Sequence, residues 1–460
     1  MTRRHATLRR LADDLSSRRV TSAKLVGDCL ARAESETGEA AFISLSDASA
    51  LQAAMAVDRK RTAREPLPLL AGIPISIKDL FDVQGEETRA GSIVLRRGPA
   101  GEDAIAVSRL KQAGLISVGR TNMTEFAYSG LGANPHFGTP TTPWRRQERR
   151  IAGGSTSGGA VSVAEEMAYA ALGTDTGGSC RIPAAFCGIA GFKSSARRDL
   201  FAGMVPLSSS LDSLGWMANS VQCLADINSA ITENMTFPRL ASVAPTLRLL
   251  LPTNLILEGA DPEVIRAFKR AVALLKAAGA IIVRADVKPF EDLSKLAARG
   301  TLVAAEAYSW HKRMMEDGAA AYDPNVLARI MRGASMTGDD YQALLAAREK
   351  FVEAMSHILA DFDALIMPTV AILPPKIAEL ENAGRYQALN ALILRNPAIV
   401  NLFDGCAVSI PITSPDAAPV GLSFAAPKGR DMPLLALSNW AEAVFRPLVE
   451  APSHAEAFDF

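Results

Sequence analysis

Three residues of this 460-residue chain have the types and settings for nucleophilic catalysis: Ser155, Ser179 and Lys78. Both serines lie among glycines. Gly153-Gly154 precede Ser155 and Gly158-Gly159 follow it; Gly177-Gly178 precede Ser179, 24 positions further on. Glycine reaches positive φ and lets the main chain approach a ligand with no Cβ in the way. A turn of such residues aims successive N–H groups into one concavity, a setting for an anion. Thr176, Gly177, Gly178 and Ser179 are candidates for those donors. Attack on an amide carbonyl develops an oxyanion, and losing one preorganised donor costs a hydrolase about 3–4 kcal/mol.

A serine nucleophile needs a base, and the five histidines (His5, His136, His311, His357, His454) are scattered. Lys78, in GIPISIKD, closes the apolar-rich run Ile73-Pro74-Ile75-Ser76-Ile77. Burial lowers an amine's pKa, and the neutral amine is the form a general base requires. Taken singly, each residue also has an ordinary reading. Either serine fits a plain glycine turn, and a lysine usually snorkels to solvent or pairs with a neighbour such as Asp79. Competing templates fail. Neither serine stands in a G-x-S-x-G elbow. Ser108 and Lys111 satisfy S-x-x-K, but they fall in a predicted helix and no S-D-N or K-T-G accompanies them. The phosphate-loop pattern G-x-x-x-x-G-K-[ST] is absent.

The elements that must position these residues alternate. The first 60 residues predict helices, one of them capped by Thr21-Ser22 with Leu25, Val26, Cys29 and Leu30 on its apolar face. Residues 72–79 predict a strand ending at Lys78. Residues 103–113 predict a helix stopped by Gly114, and 115–119 and 168–173 predict strands. A strand, a helix and a strand follow over 247–252, 262–278 and 280–284; 290–358 reads mostly as helix, and 362–369 as strand. Such alternation predicts an α/β fold with a central mixed, mostly parallel twisted sheet covered by helices on both faces. No repeat, low-complexity tract or long linker divides the chain, so one domain over 1–460 is expected.

Composition excludes several function classes. Lys plus Arg and Asp plus Glu are 49 each, so overall charge favours neither nucleic acid nor an anionic membrane. Arg3-Arg4 are followed by Asp13-Asp14 rather than an uninterrupted apolar stretch, which predicts an amphipathic first helix and no export signal. No run of about 18 apolar residues exists to span a bilayer. Five cysteines without a C-x-x-C pair fit a cytoplasmic location without disulfides. No clustered histidines or acids suggest a metal, and no cofactor is expected. The basic stretch PTTPWRRQERR at 140–150 predicts a solvated loop.

Together, GIPISIKD, AGGSTSGG and GTDTGGSCRIPAAFCGIAGFK resemble the amidase signature family, with a signature core at about 72–196. Weaker similarity extends to VTSAKLV, LEGADPEV, MPT at 367–369 and GCAVSIP. The resemblance implies the amidase fold and hydrolysis of the C–N bond of a small carboxylic, urea or carbamoyl-type amide through an acyl-enzyme. It implies a Ser-cisSer-Lys triad, with Ser179 as nucleophile, Ser155 as the serine after a cis peptide and Lys78 as base. Backbone amides of Thr176, Gly177 and Gly178 would form the oxyanion hole, Asp175 and Arg181 would support it, and a homodimer is possible. The chain departs from the family in Ile151-Ala152, in Cys180 after the nucleophile and in GFKSS; Ser157 rivals Ser155 within GGSTSGG.

Two alternatives stand beside the amidase. One is the glutaminase subunit of a tRNA-dependent amidotransferase, which the resemblance also covers; the other is a non-catalytic binding protein on the same fold. Segments 125–145, 300–345 and 380–405 are expected to shape the acyl pocket. Phe126, Tyr128, Leu131, Trp310, Tyr386 and Leu389 are candidate walls there, or plain core; Arg181 and Arg385 are candidate carboxylate binders, or ordinary ion pairs.

Overall fold

The computed structural model describes residues 6–232, 236–240, 247–293 and 300–450. Its centre is an 11-stranded sheet in the order β1-β3-β2-β4-β6-β5-β10-β11-β9-β7-β8. In chain order the strands are β1 (Phe42–Leu45), β2 (Pro74–Lys78), β3 (Ile116–Thr121), β4 (Ala170–Thr174), β5 (Ala190–Lys193), β6 (Leu214–Ala218), β7 (Arg248–Pro252), β8 (Ile281–Ala285), β9 (Ala364–Pro368), β10 (Cys406–Pro411) and β11 (Gly421–Ala426). Helices pack on the sheet, and one large apolar core runs from Leu8 to Phe445.

The predicted alternation holds for β2, β3, β4, β7, β8 and β9. Pairing is mixed rather than mostly parallel. Only β2 with β3 and β4, and β7 with β8 and β9, run parallel; the other six pairings are antiparallel. The cause is visible in the connections. β5–β6 and β10–β11 are joined without a crossover helix, and strands so joined reverse direction. A second departure is β1, inside the region expected to be helical. It borders the sheet, antiparallel to β3.

Helix ends follow the local chemistry. Thr21 caps Ser22–Ala33, its side chain accepting from Lys24 N, without the acidic residue of a capping box. The N-terminal helix Leu8–Ser16 buries Leu8, Leu11, Ala12 and Leu15 and leaves its polar face outward, as an amphipathic helix must. Residues 140–150 form a loop. There the guanidiniums of Arg145 and Arg150 each lie 5.0 Å from the Trp144 ring, and Arg146 pairs with Glu165 at 2.6 Å. Ser108 and Lys111 lie in the helix Ile105–Gln112, where Lys111 bonds Asp103.

The strands beside the site are buried on both faces: every residue of β2, β4, β5 and β6 is buried. Behind them Trp216 donates Nε1 to Leu224 O at 2.8 Å and meets Phe192 edge-on, ring centroids 5.0 Å apart. Trp216→Ala should lower stability by about 3–5 kcal/mol, read as a shift of the urea unfolding midpoint against wild type.

Candidate active site

Two loops beside β2 and β4 bring the candidate residues together. β2 delivers Lys78 at its last residue, and β4 beside it ends at Thr174. The chain then turns through 175–180 into the helix Arg181–Cys187. The first serine loop leads into the helix Ser157–Ala164, with a cis bond between Gly154 and Ser155. The loops are tied to each other and to the sheet. Thr156 N donates to Ser179 O at 3.1 Å, and Thr124 N to Ser155 O at 3.1 Å. A Cβ on Gly154 would come within 2.6 Å of Gly132 N, so glycine is required for this packing.

Lys78 is fully buried, with Nζ 2.8 Å from Ser155 Oγ and 3.0 Å from Thr174 Oγ1. Burial pushes its pKa down to about 8, against the pull of Cys180, Asp175 and Asp212. Two hydroxyl partners leave an ammonium one hydrogen short, whereas a neutral amine can accept the Ser155 proton. The alternative readings of Lys78 do not describe this structure. It does not snorkel, and Asp79 instead faces Arg120 at 3.4 Å and accepts from Gly91 N. Ser157, the rival serine, buries an Oγ without a hydrogen-bond partner.

Ser179 is 4% exposed and lines a cavity of about 240 Å³ together with Thr176 and Gly177. Among the described residues no acceptor takes the N–H of Thr176, Gly177 or Ser179. Gly178 differs from expectation: its N–H donates to Asp175 Oδ1 at 2.8 Å and is already engaged. Its role is conformational. With φ of 122° and a would-be Cβ 2.7 Å from Ile182 and Pro397, only glycine fits the turn.

Asp175 and Arg181 are both fully buried and paired, Arg181 Nη2 to Asp175 Oδ1 at 2.8 Å and Nε to Oδ2 at 3.0 Å. Asp175 also accepts from the Cys180 and Arg181 amides. Burial raises its pKa, but the Arg181 charge and these donors outweigh burial and hold the carboxyl at about 2. This ion pair braces the turn before and after Ser179. Cys180 is wholly buried, and burial pushes its thiol up to about 12, which keeps it an inert small apolar side chain.

Two features were missed in the sequence. Asp212, buried, accepts from Thr176 Oγ1 at 2.6 Å and from the Leu207 and Ser208 amides, so it braces the turn that carries Thr176. Glu125, buried, accepts from Ser92 Oγ at 2.7 Å and from Asp323 N at 2.7 Å, with His136 Nε2 at 2.9 Å. It thereby joins the signature core to the helix Pro324–Met331, whose Arg329 lines the cavity. Single buried acids at ordinary spacing carry no sequence signal for such roles.

Of the suggested acyl-pocket residues, Tyr128 lines the cavity. Phe126 and Trp310 pack on His311 in an aromatic cluster, and Leu131, Tyr386 and Leu389 belong to a separate apolar cluster. Arg385 pairs with Glu379 at 2.9 Å, and Arg181 is held by Asp175, so neither faces the cavity as a free cation. The described residues contain no group of acids, histidines or cysteines able to hold a metal, and no helix long and apolar enough to cross a membrane. The five cysteines are free.

If neutral Lys78 is the base, activity requires loss of its proton. We expect kcat/KM for an amide to rise with pH to a plateau, with a midpoint near 8, measured as ammonia release across a pH series.

Known proteins share this architecture. A family model described as Amidase matches residues 24–435. A 2-amino-5-chloromuconic acid deaminase of Comamonas testosteroni is 34% identical over 444 residues, 96% of each chain. A glutamyl-tRNA(Gln) amidotransferase subunit of Acidothermus cellulolyticus is 32% identical over 446 residues, covering 88% of this chain and 87% of its own. The crystal structure of an amidase superposes with a TM-score of 0.85 at 30% identity, covering 95% of this chain and 99% of that one. The fold also matches a 6-aminohexanoate cyclic dimer hydrolase, with a TM-score of 0.83 at 24% identity over 96% of this chain and 97% of that one. With the family model spanning nearly the whole length, the chain belongs to the amidase signature family and is an enzyme that hydrolyses the C–N bond of amides.

Proposed function

We propose that Ser179 is the nucleophile, with Ser155 and Lys78 as its proton relay. The observation that carries this reading is the 2.8 Å bond between Lys78 Nζ and Ser155 Oγ, beside the backbone tie from Thr156 to Ser179. Ser179 Oγ attacks the amide carbonyl, Ser155 takes its proton, and the neutral amine of Lys78 takes the proton of Ser155. The free amides of Thr176, Gly177 and Ser179 receive the oxyanion. The relay returns a proton to the leaving nitrogen, ammonia or an amine departs, and water hydrolyses the acyl-enzyme. Asp175 and Arg181 hold the turn and do not touch the reacting atoms. The Comamonas relative is named a deaminase, which supports ammonia as the leaving group here.

In this reading residues 1–460 work as one catalytic unit, in the cytoplasm, as a homodimer, on a small-molecule amide. The free cysteines support the compartment. A second reading has observational support in the amidotransferase relative: glutamine hydrolysis, with ammonia passed to partner subunits. Ammonia release from a panel of aliphatic, aromatic and dicarboxylic half-amides, ureas and glutamine separates the two. For the preferred substrate we expect Ser179→Ala to lower kcat at least about 10³-fold and release from glutamine to be minor. Glutamine as the best substrate supports the second reading. Full activity in the variant contradicts both.

A further inference from the structure

Residues 206–213 run between the cavity and the turn before Ser179 without a helix or strand of their own. Side-chain bonds therefore set the shape of this segment. One end is tied to the turn that carries Ser179. Thr176 Oγ1 donates to Asp212 Oδ1 at 2.6 Å, and Ser213 Oγ donates to Asp175 O at 2.7 Å. Asp175 N donates back to Ser213 O at 2.9 Å. Asp212 also folds the segment on itself, accepting from Leu207 N at 3.0 Å and Ser208 N at 3.1 Å.

The other end is tied to Glu306, on the helix Leu302–Gly318. Ser208 Oγ and Ser210 Oγ both donate to that carboxylate, and Ser210 N donates to it at 3.2 Å. Tyr341 Oη, from the helix Gly338–Leu359, donates to it at 2.7 Å. Bonds to a carboxylate are roughly twice as strong as neutral ones. Apolar packing follows the same route. Leu211 clusters with Leu302 and Leu344, one from each of those helices. These three leucines and Leu207 all line the cavity beside Ser179.

We propose that Glu306 is a positioning residue for the reaction. Through Ser208, Ser210 and Asp212 it holds Thr176, so that the Thr176 N–H points to where the oxyanion forms. Glu306 itself touches no reacting atom. This rests on the reading of Ser179 as nucleophile and of the Thr176 amide as an oxyanion donor. A misplacement of about 1 Å in an aimed group costs about 100-fold in rate. A loosened segment is therefore felt in turnover more than in substrate binding.

The test measures kcat and KM for the best amide of the panel and for its thioamide. The proteins are wild type, Glu306→Ala, Glu306→Gln, Thr176→Val, the double variant of Glu306→Ala with Thr176→Val, and Ser179→Ala, with the urea midpoint of each as the measure of folding. Glu306→Ala should lower kcat about 10- to 100-fold and move KM less than about 3-fold. Glu306→Gln keeps one acceptor oxygen and can donate to the serine hydroxyls, so it should recover most of that loss. Thr176→Val keeps the backbone amide and removes the hydroxyl that bonds Asp212; its loss should fall on kcat by a similar factor. The two act in series, so the double variant should lose no more than about 3-fold beyond the larger single loss. Sulfur accepts hydrogen bonds weakly. Wild type should favour the amide over the thioamide, and that preference should shrink in both single variants. Multiplied losses in the double variant, or a loss carried by KM, would make Glu306 merely structural and overturn the proposal. So would a thioamide ratio that falls in Thr176→Val but stays unchanged in Glu306→Ala. A ratio unchanged in Thr176→Val as well fails the oxyanion reading, and the proposal with it. Full turnover by Ser179→Ala fails the nucleophile reading instead. Should Glu306→Ala not fold, Ser208→Ala removes one donor while leaving the carboxylate bonded, and it is read against the same outcomes.

Discussion

Lys78 lies wholly inside the protein and bonds two hydroxyls, Ser155 and Thr174, and among the described residues no carboxylate bonds it directly. A charged amine in that place is poorly served, and burial moves its pKa to about 8. Much of the surrounding structure is what such a group demands. β2 must end at this residue, β4 must supply Thr174, and the Ser155 loop must close over both. The carboxylates nearby are turned to other partners: Asp79 to Arg120, Asp175 to Arg181, Asp212 to Thr176. Were any of them to bond Lys78 directly, the ammonium would be favoured over the neutral amine that the proposed relay needs.

The same logic separates two arginines near the site, Arg181 fully buried and Arg329 partly so. Arg181 is neutralised by Asp175 and fixes the turn that carries Ser179. Breaking a buried pair of this type costs about 3–5 kcal/mol, because the surviving charge is left uncompensated. Arg329, at the cavity wall, has no ion pair among the described residues, and its guanidinium lies over the Tyr128 ring.

Much of this was legible in the sequence, for physical reasons. Glycine pairs before Ser155 and Ser179 are required by close backbone approach, and an apolar strand ending in lysine is required by burial, so both leave a trace in residue type. Strand directions were not legible. β5, β6, β10 and β11 are not legible as strands at all: they are short and buried, without the alternation that marks a strand in the sequence, and their antiparallel pairing is hidden with them. β1 was lost among the helices because four residues carry too little periodicity. The engaged amide of Gly178 and the bracing roles of Asp212 and Glu125 depend on which atom each group meets, and residue spacing does not encode that. Arg385 and Arg329 look alike as sequence; only their neighbours show that one pairs with Glu379 and the other lies over the Tyr128 ring.

The central claim is that the acyl group passes through a covalent bond to Ser179. Its most direct test is to quench a reaction with a slowly hydrolysed acyl donor and map the modified peptide by mass spectrometry. The account predicts an acyl increment on Ser179, formed more slowly when Lys78 is replaced by Met. Turnover with the increment on Ser155 or Cys180, or with no acylated peptide while a hydroxylamine trap yields no hydroxamate, would contradict it.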